Sequence, residues 1–437
     1  MAPIIPLASL LIGIQLFLGG LPRGVGPGSG STCPVDSVGS AVWVKKFDLG
    51  YNPWPDLNYG IPLAGGGCLA VGDVGPLSGP DGWILRFGAA GTIEKQGSYA
   101  IQKNGRLQAI APTADGGYIA AGRMNFDEYG KGGDGWLMKL DKDLIPKWNK
   151  TYARGERHIN FEQVACLPDG GFLLAGLYSG AYDSLIAKTN STGGVVWAHE
   201  FAGAIFYAMI PTPDKGLLAL VTVFGESDWL PALIKLDSMG KVKWAKQSDE
   251  HCTFWSGFAT SSGDFIIGGT SASGNMVMKV SGGGAIKWQS AFGSTFSRMS
   301  KIFPAPGGGA YFVTPNSWNP TTQVVIAKVT GTGALSFARG YAPFTQGFQE
   351  SADHAFQATD GSILMLCNHV ADTAIVRFDA NGRTDPKCTP FPIKYKRTNP
   401  KLALENINIT PKKVKLTVKT AKVTRQATTA RLEAACK

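Results

Sequence analysis

Arg86, Lys139, Lys188, Lys235, Lys279, Lys328 and Arg377 recur through the chain, and five of them stand nine positions before an aromatic: Lys139 before Trp148, Lys188 before Trp197, Lys235 before Trp244, Lys279 before Trp288 and Lys328 before Phe337. Two chemistries fit that spacing. Seven cations gathered around one opening would line an anion-binding surface. In a hairpin with a four-residue loop, by contrast, positions nine apart face each other on neighbouring strands, and the basic stem covers the aromatic face. Such a contact is worth roughly 0.5–1 kcal/mol per pair where exposed. The structural contact is the expected role, because the third strand of a radial repeat lies away from its axis. The five histidines, His158, His199, His251, His354 and His369, form no HExxH and no tight ligand pair. His369, two after Cys367, fits a loop residue following a strand. Asp379-Ala380-Asn381-Gly382 lacks the closing Glu of a calcium loop and reads as a turn. There is no Gly-x-Ser-x-Gly elbow, and the glycine-rich turns precede no helix that could cradle phosphate. No catalytic, metal or cofactor site is therefore expected from local motifs. A catalytic site here would have to gather its groups from loops far apart in the chain. The stretches Asn52–Tyr59 and Ser227–Leu230 carry aromatics and Asp on loops, and suit either carbohydrate contact or ordinary loop packing.

The elements that must position these residues form an internal repeat with a period near 50 residues. Each unit opens on a glycine turn: Gly65-Gly66-Gly67, Asp115-Gly116-Gly117, Asp169-Gly170-Gly171, Asp214-Lys215-Gly216, Ser262-Gly263, Gly307-Gly308-Gly309 and Asp360-Gly361. The third unit shows the plan, with strands expected over Phe161–Ala165, Gly171–Gly176, Ser184–Lys188 and Val195–Phe201, separated by Pro168-Asp169-Gly170 and Asn190-Ser191-Thr192-Gly193-Gly194. Four short strands per unit, arranged radially, make an all-β propeller, and radial closure protects the strand edges. Third strands end in seven basic residues. Fourth strands carry Trp43, Lys95, Trp148, Trp197, Trp244, Trp288 and Phe337. The two lists are out of step by one unit. Seven blades are expected, the last closed by the N-terminal strand Val42–Phe47.

Lys235-Leu236-Asp237-Ser238-Met239-Gly240-Lys241-Val242-Lys243-Trp244 resembles the tryptophan-docking repeat of the quinoprotein-like β-propeller superfamily, with Asp141 and Trp148, and Gly194 and Trp197, as looser copies. The resemblance runs over residues 42 to about 388 and implies blades locked by docked aromatics at Trp43, Trp148, Trp197, Trp244, Trp288 and Phe337. The enzymes of that superfamily carry a vicinal cysteine pair beside a quinone and usually have eight blades. This chain has no Cys-Cys and seven repeats, so the resemblance implies the non-enzymatic type, without a quinone.

Composition sets the remaining bounds. The chain has 437 residues and a formal net charge of +10, with 42 Lys and Arg against 32 Asp and Glu. Twelve of those basic residues and two of the acidic ones lie in 390–437, so the tail alone carries +10 and the rest sums to zero. Residues 1–20 hold an apolar run from Ile4 to Gly20, expected to be a cleaved secretory signal, with a retained membrane anchor as the alternative. Residues 21–41 form a Gly-, Pro- and Ser-rich linker, 42–388 the propeller, and 389–437 a basic β extension. Cys68, Cys166 and Cys367 fall in or beside apolar strands and Cys252 in a turn or flank. Export would permit a disulfide among Cys33, Cys388 and Cys436, where Cys388 pairs with either Cys33 or Cys436. Sequons at Asn149, Asn190 and Asn408 fit the same setting, with Asn190 best placed on an exposed turn. In the tail, Val414, Leu416 and Val418 alternate with Lys413, Lys415, Thr417 and Lys419, the period of a half-buried strand. It could pack on the propeller side, fold with Leu402–Ile409, or join another subunit's sheet. Its basic face suits an anionic polysaccharide, an acidic neighbour or plain solvation. It lacks the interleaved aromatics that nucleic acid stacking requires. The expected function is an exported or cell-surface module that binds protein or polysaccharide or serves a structural role. The alternatives are a subunit of an extracellular assembly, self-associating through its tail or N-terminal segment, and a carbohydrate-active enzyme.

Overall fold

The computed structural model describes residues 42–48, 55–75, 79–100, 104–126, 132–178, 182–225, 228–293, 299–315, 324–341, 351–368, 373–384, 391–392, 397–398, 402–407, 409–420, 424–426 and 431–433. The expected signal segment, the linker, Asn408, Cys33, Cys388 and Cys436 lie outside the described residues.

Among the described residues, seven antiparallel sheets each hold four blade strands, consecutive in the chain in six of them. The third blade runs Ile159–Cys166, Phe172–Tyr178, Ser184–Thr189 and Val195–Phe201, close to the spans expected. Second and third strands are buried along almost their whole length, because a neighbouring blade covers each face. They therefore read as unbroken apolar runs rather than alternating ones. Fourth strands face solvent in part and alternate. First strands of consecutive blades lie against one another, from Asp56–Pro62 through each successive blade to Ser351–Gln357 and back, so their ring surrounds the axis. The ring closes as the sequence implies. Trp43–Asp48 pairs antiparallel with Thr373–Phe378, Trp43 opposite Arg377, and completes the seventh blade.

The tail departs from the single strand expected at Lys412–Lys419. It is cut into seven short strands, and each adds to the outer edge of a different blade as its fifth strand. Phe391–Pro392 joins blade six, Arg397–Thr398 blade five, Leu404–Asn406 blade four and Lys412–Lys413 blade three. Thr417–Thr420 joins blade two, Thr424–Gln426 blade one, and Arg431–Glu433 the N-terminal strand in blade seven. The belt runs against the chain order of the blades. Between its strands, apolar side chains enter the clefts between blades: Leu402 beside Leu218 and Phe265, and Val414 and Leu416 among the core of blades two and three. Lys412, Lys413, Lys415 and Lys419 stay exposed, which is the alternation the sequence shows.

Candidate functional site

Regular alternation sends first-strand side chains sideways into neighbouring blades. In six of the seven first strands one residue is skipped by the pairing: Asn58, Gln108, Glu162, Tyr207, Trp255 and Asp353. Such a bulge takes a residue out of the alternation and re-aims it, which brings polar and aromatic groups to the axis. Asn58 donates from Nδ2 to Asp73 (3.2 Å) and to the Leu107 carbonyl of the next blade (2.9 Å), and Tyr207 meets Trp255 edge-on across a blade boundary at 4.9 Å. Arg106 lies 3.3 Å from Asp73. Burial pushes the Glu162 carboxyl up to about 7, against the opposing pull of Arg123 and a hydrogen bond from Asn160. Burial also lowers the pKa of Arg123 and raises that of Asp73.

Deeper along the axis, Lys301 places its ammonium 5.3 Å from the ring centre of Tyr59, which lies 3.9 Å from the His354 ring. His354 Nε2 is 3.1 Å from the Gly60 carbonyl, and burial, then Lys301, hold the imidazole well below its usual pKa. Burial lowers Lys301 to about 8. Two cavities of about 350 and 290 Å³ adjoin here and share Tyr59, Gln163, Met209 and Pro211 in their walls.

A second feature occupies the loops between second and third strands of blades three and four. Phe224 and Trp229 face each other in register and their rings meet edge-on at 4.6 Å. Tyr182, from the adjoining blade, lies 4.6 Å from Phe224 and 6.0 Å from Trp229. Tyr182 is 44% exposed and Trp229 39%. Around them stand Asp183, hydrogen-bonded by the Gly203 amide, and the exposed pair His251–Asp228 at 3.6 Å. Trp229 belongs to the Ser227–Leu230 stretch singled out above; Ser227 lies outside the described residues. In the other stretch, Asn52–Trp54 is not described and Tyr59 turns inward to the axis.

The register places each basic residue opposite its aromatic as the spacing implies: Lys139 with Trp148, Lys188 with Trp197, Lys235 with Trp244, Lys279 with Trp288, Lys328 with Phe337 and Arg377 with Trp43. Arg86 faces Lys95. The cations do not cap those rings. Their ends go to the aspartate of the glycine turn in the same blade: Lys139 to Asp115 (2.8 Å), Lys188 to Asp169 (2.7 Å), Lys235 to Asp214 (2.8 Å), Lys279 to Asp264 (3.3 Å) and Arg377 to Asp360. Blades one and six have no aspartate in that turn. There Arg86 turns to Glu94 and Lys328 to the face of Tyr311. The ammonium of Lys139 holds Asp115, and that of Lys188 holds Asp169, well below the usual carboxylate range. With Lys139, Lys235 and Arg377 buried, these residues brace blades and form no open cationic ring. The recurring aspartate, in step with the lysine, was the overlooked sequence signal.

The aromatics dock on the next blade. Indole Nε1 of Trp43, Trp197, Trp244 and Trp288 donates to Ala89, Ser238, Gly282 and Gly331 carbonyls at 2.8–3.2 Å, all in the turn between third and fourth strands. Trp197 lies on Gly240, whose φ of +76° and absent Cβ let the ring approach; a Cβ there would sit 3.0 Å from it. Trp148 and Phe337 meet Gly193 and Gly382 in the same way. Where Lys95 replaces the aromatic, it pairs with Asp143 of the next turn at 2.8 Å.

Asn190 is exposed on its turn, whereas Asn149 is buried beside Trp136 and offers no surface to a glycan. Cys68, Cys166 and Cys252 are free thiols, and Cys252 lies in a strand rather than a turn. No three His, Cys, Asp or Glu side chains among the described residues gather as a metal site.

The sequence matches no protein-family profile and no curated protein. Among solved structures, Sqt1 from Chaetomium thermophilum aligns at 12% identity over 76% of this chain and 98% of its own, with a TM-score of 0.45. A protein of unknown function from Bacteroides caccae aligns at 16% identity over 62% and 93%, with a TM-score of 0.40. The polysaccharide lyase Uly1 aligns at 9% identity over 75% and 90%, with a TM-score of 0.47. Likenesses of this strength assign neither family nor activity.

Proposed function

We propose that this propeller is a carbohydrate-binding module, exported from the cell, whose contact surface is the platform of Tyr182, Phe224 and Trp229. The observation that carries the reading is the pairing of two ring faces open to water with carboxylates at their margin. Sugar rings stack their C–H faces on such aromatics, and the exposed Asp228 can accept hydrogen bonds from hydroxyls, while Asp183 is held by Arg157 and the Gly203 amide. The apolar segment Ile4–Gly20 and the exposed Asn190 sequon support export. The test is native electrophoresis of the full chain through gels holding neutral or acidic polysaccharides. Retardation is expected, weakened about tenfold by Trp229→Ala or Tyr182→Ala, equivalent to about 1.4 kcal/mol. Equal retardation of both variants would refute the platform. The intact mass of the secreted protein should be short of the apolar segment.

A second reading has its own observation: Glu162, with a carboxyl pKa near 7, and Asp73 both act on Arg123 near the axis. A carboxylic acid held protonated near neutrality is what glycosidic cleavage requires. The same polysaccharides, recovered and sized, separate the two: shortening by the wild type and not by Glu162→Gln would make the protein an enzyme.

A further inference from the structure

We infer that the axial cavity around Lys301 is a binding site for a small organic monocarboxylate with an apolar body. Lys301 lines the 290 Å³ cavity with Tyr59, Met209, Ile210, Pro211 and Phe258. Among the described residues no carboxylate lies within ion-pair distance of its ammonium, whose close neighbours are the Tyr59 ring and the His354 imidazole. The imidazole offers no compensation. It is held neutral, it lies against the Gly60 carbonyl, and as a cation it would repel Lys301.

A cation enclosed by protein without a counter-ion is costly, and the cost is relieved when an anion binds beside it. The side chain is partly open to the cavity, so burial lowers its pKa only to about 8 and it remains largely charged at neutral pH. Two of the other polar wall groups are already engaged. Gln163 donates to the Tyr207 carbonyl at 3.3 Å and accepts from the Met209 amide at 2.7 Å, and Ser256 donates to the Ile302 carbonyl. One ammonium, with the Tyr59 hydroxyl as the further side-chain donor in the wall, suits one carboxylate. A phosphate would require the additional donors that arginine or a backbone nest supplies. The adjoining 350 Å³ cavity, walled by Ile61, Ile110, Val164 and Met209, accommodates the apolar body. It ends among Pro112 and Pro211, the last residues of their first strands, so entry is from the face that carries the glycine turns.

The experiment is calorimetric titration of the full chain with 4-phenylbutyrate and, separately, with its uncharged amide. Saturable one-to-one binding of the acid is expected, at least tenfold tighter than that of the amide. Lys301→Met should lose that preference and raise the melting temperature, because it removes an uncompensated charge. Ala259→Phe, which fills the cavity mouth and keeps the lysine, should weaken acid and amide alike. Equal affinity for acid and amide, acid binding unchanged in Lys301→Met, or no saturable binding of the acid would each overturn the assignment. The result is independent of the carbohydrate platform, whose variants should titrate as the wild type does.

Discussion

At the residue scale, Glu162 makes the axis sensitive to pH. Its carboxyl ionises near pH 7 in the folded protein and at about 4.5 in the open chain, because burial beside the axis disfavours the charge. Between those values the unfolded state has released a proton that the folded state keeps. The contribution is therefore neutral below pH 4.5, turns destabilising as pH rises to about 7, and is constant above. The expected loss across that window is up to about 3 kcal/mol. Denaturant midpoints at pH 5 and pH 8 should differ less in Glu162→Gln than in the wild type, with the variant gaining relative stability at the higher pH. A difference between the two proteins that stays flat from pH 5 to 8 would mean that Arg123 keeps Glu162 ionised throughout. Aspartates such as Asp169 act with the opposite sign, losing their stabilising pairs only as pH falls below the ordinary carboxylate range.

At the scale of the element, a blade is held by an aromatic of its fourth strand seated on the next blade's turn, and Trp43 is the instance that also closes the ring. It is 1% exposed, packs with Phe87 and Ile375, and hydrogen-bonds Ala89. Trp43→Ala should cost about 3–5 kcal/mol, measured by chemical denaturation, whereas Trp229→Ala on the exposed platform should stay within about 0.5 kcal/mol of wild type. Blade number and the closing strand were legible in the sequence because each depends on a period, and the docking aromatics because their string resembles a known docking repeat. The partners of the cations were less so, since Lys188 and Asp169 meet across the second and third strands. The axial groups were illegible for another reason. Glu162, Tyr207 and Trp255 reach the axis through bulges, which break the alternation that sequence reading relies on. Lys301 sits in the first strand that has no such interruption, and only the closed ring shows that it is enclosed. The tail gave one visible alternation at Val414 and Leu416. Its strands are two to four residues long and owe their existence to the edges they meet, not to their own pattern.

At the scale of the whole molecule, the N-terminal strand closes the ring from within and the tail binds it from outside. Each fourth strand would otherwise present a row of unpaired amides and carbonyls, the template for edge-to-edge aggregation. The belt covers that row on all seven blades, and Leu402 and Leu416, at 3% and 7% exposure, fill clefts that would open to water without it. Truncation after residue 388 should therefore lower the melting temperature and, on a sizing column, shift the protein into larger species that bind a hydrophobic dye. The positive charge of the belt is a separable property. Lys412, Lys413, Lys415 and Lys419 point to solvent, so changing all four to Gln should leave stability within about 0.5 kcal/mol per site while removing much of the local charge. If the quadruple variant behaved like the truncation, charge would be what holds the belt. If the truncated chain kept the wild-type melting temperature and elution volume, the belt would be a passenger on a ring that is stable without it. The buried leucines argue against both, because apolar plugs at successive blade boundaries couple belt to ring through packing that neither salt nor charge removal touches.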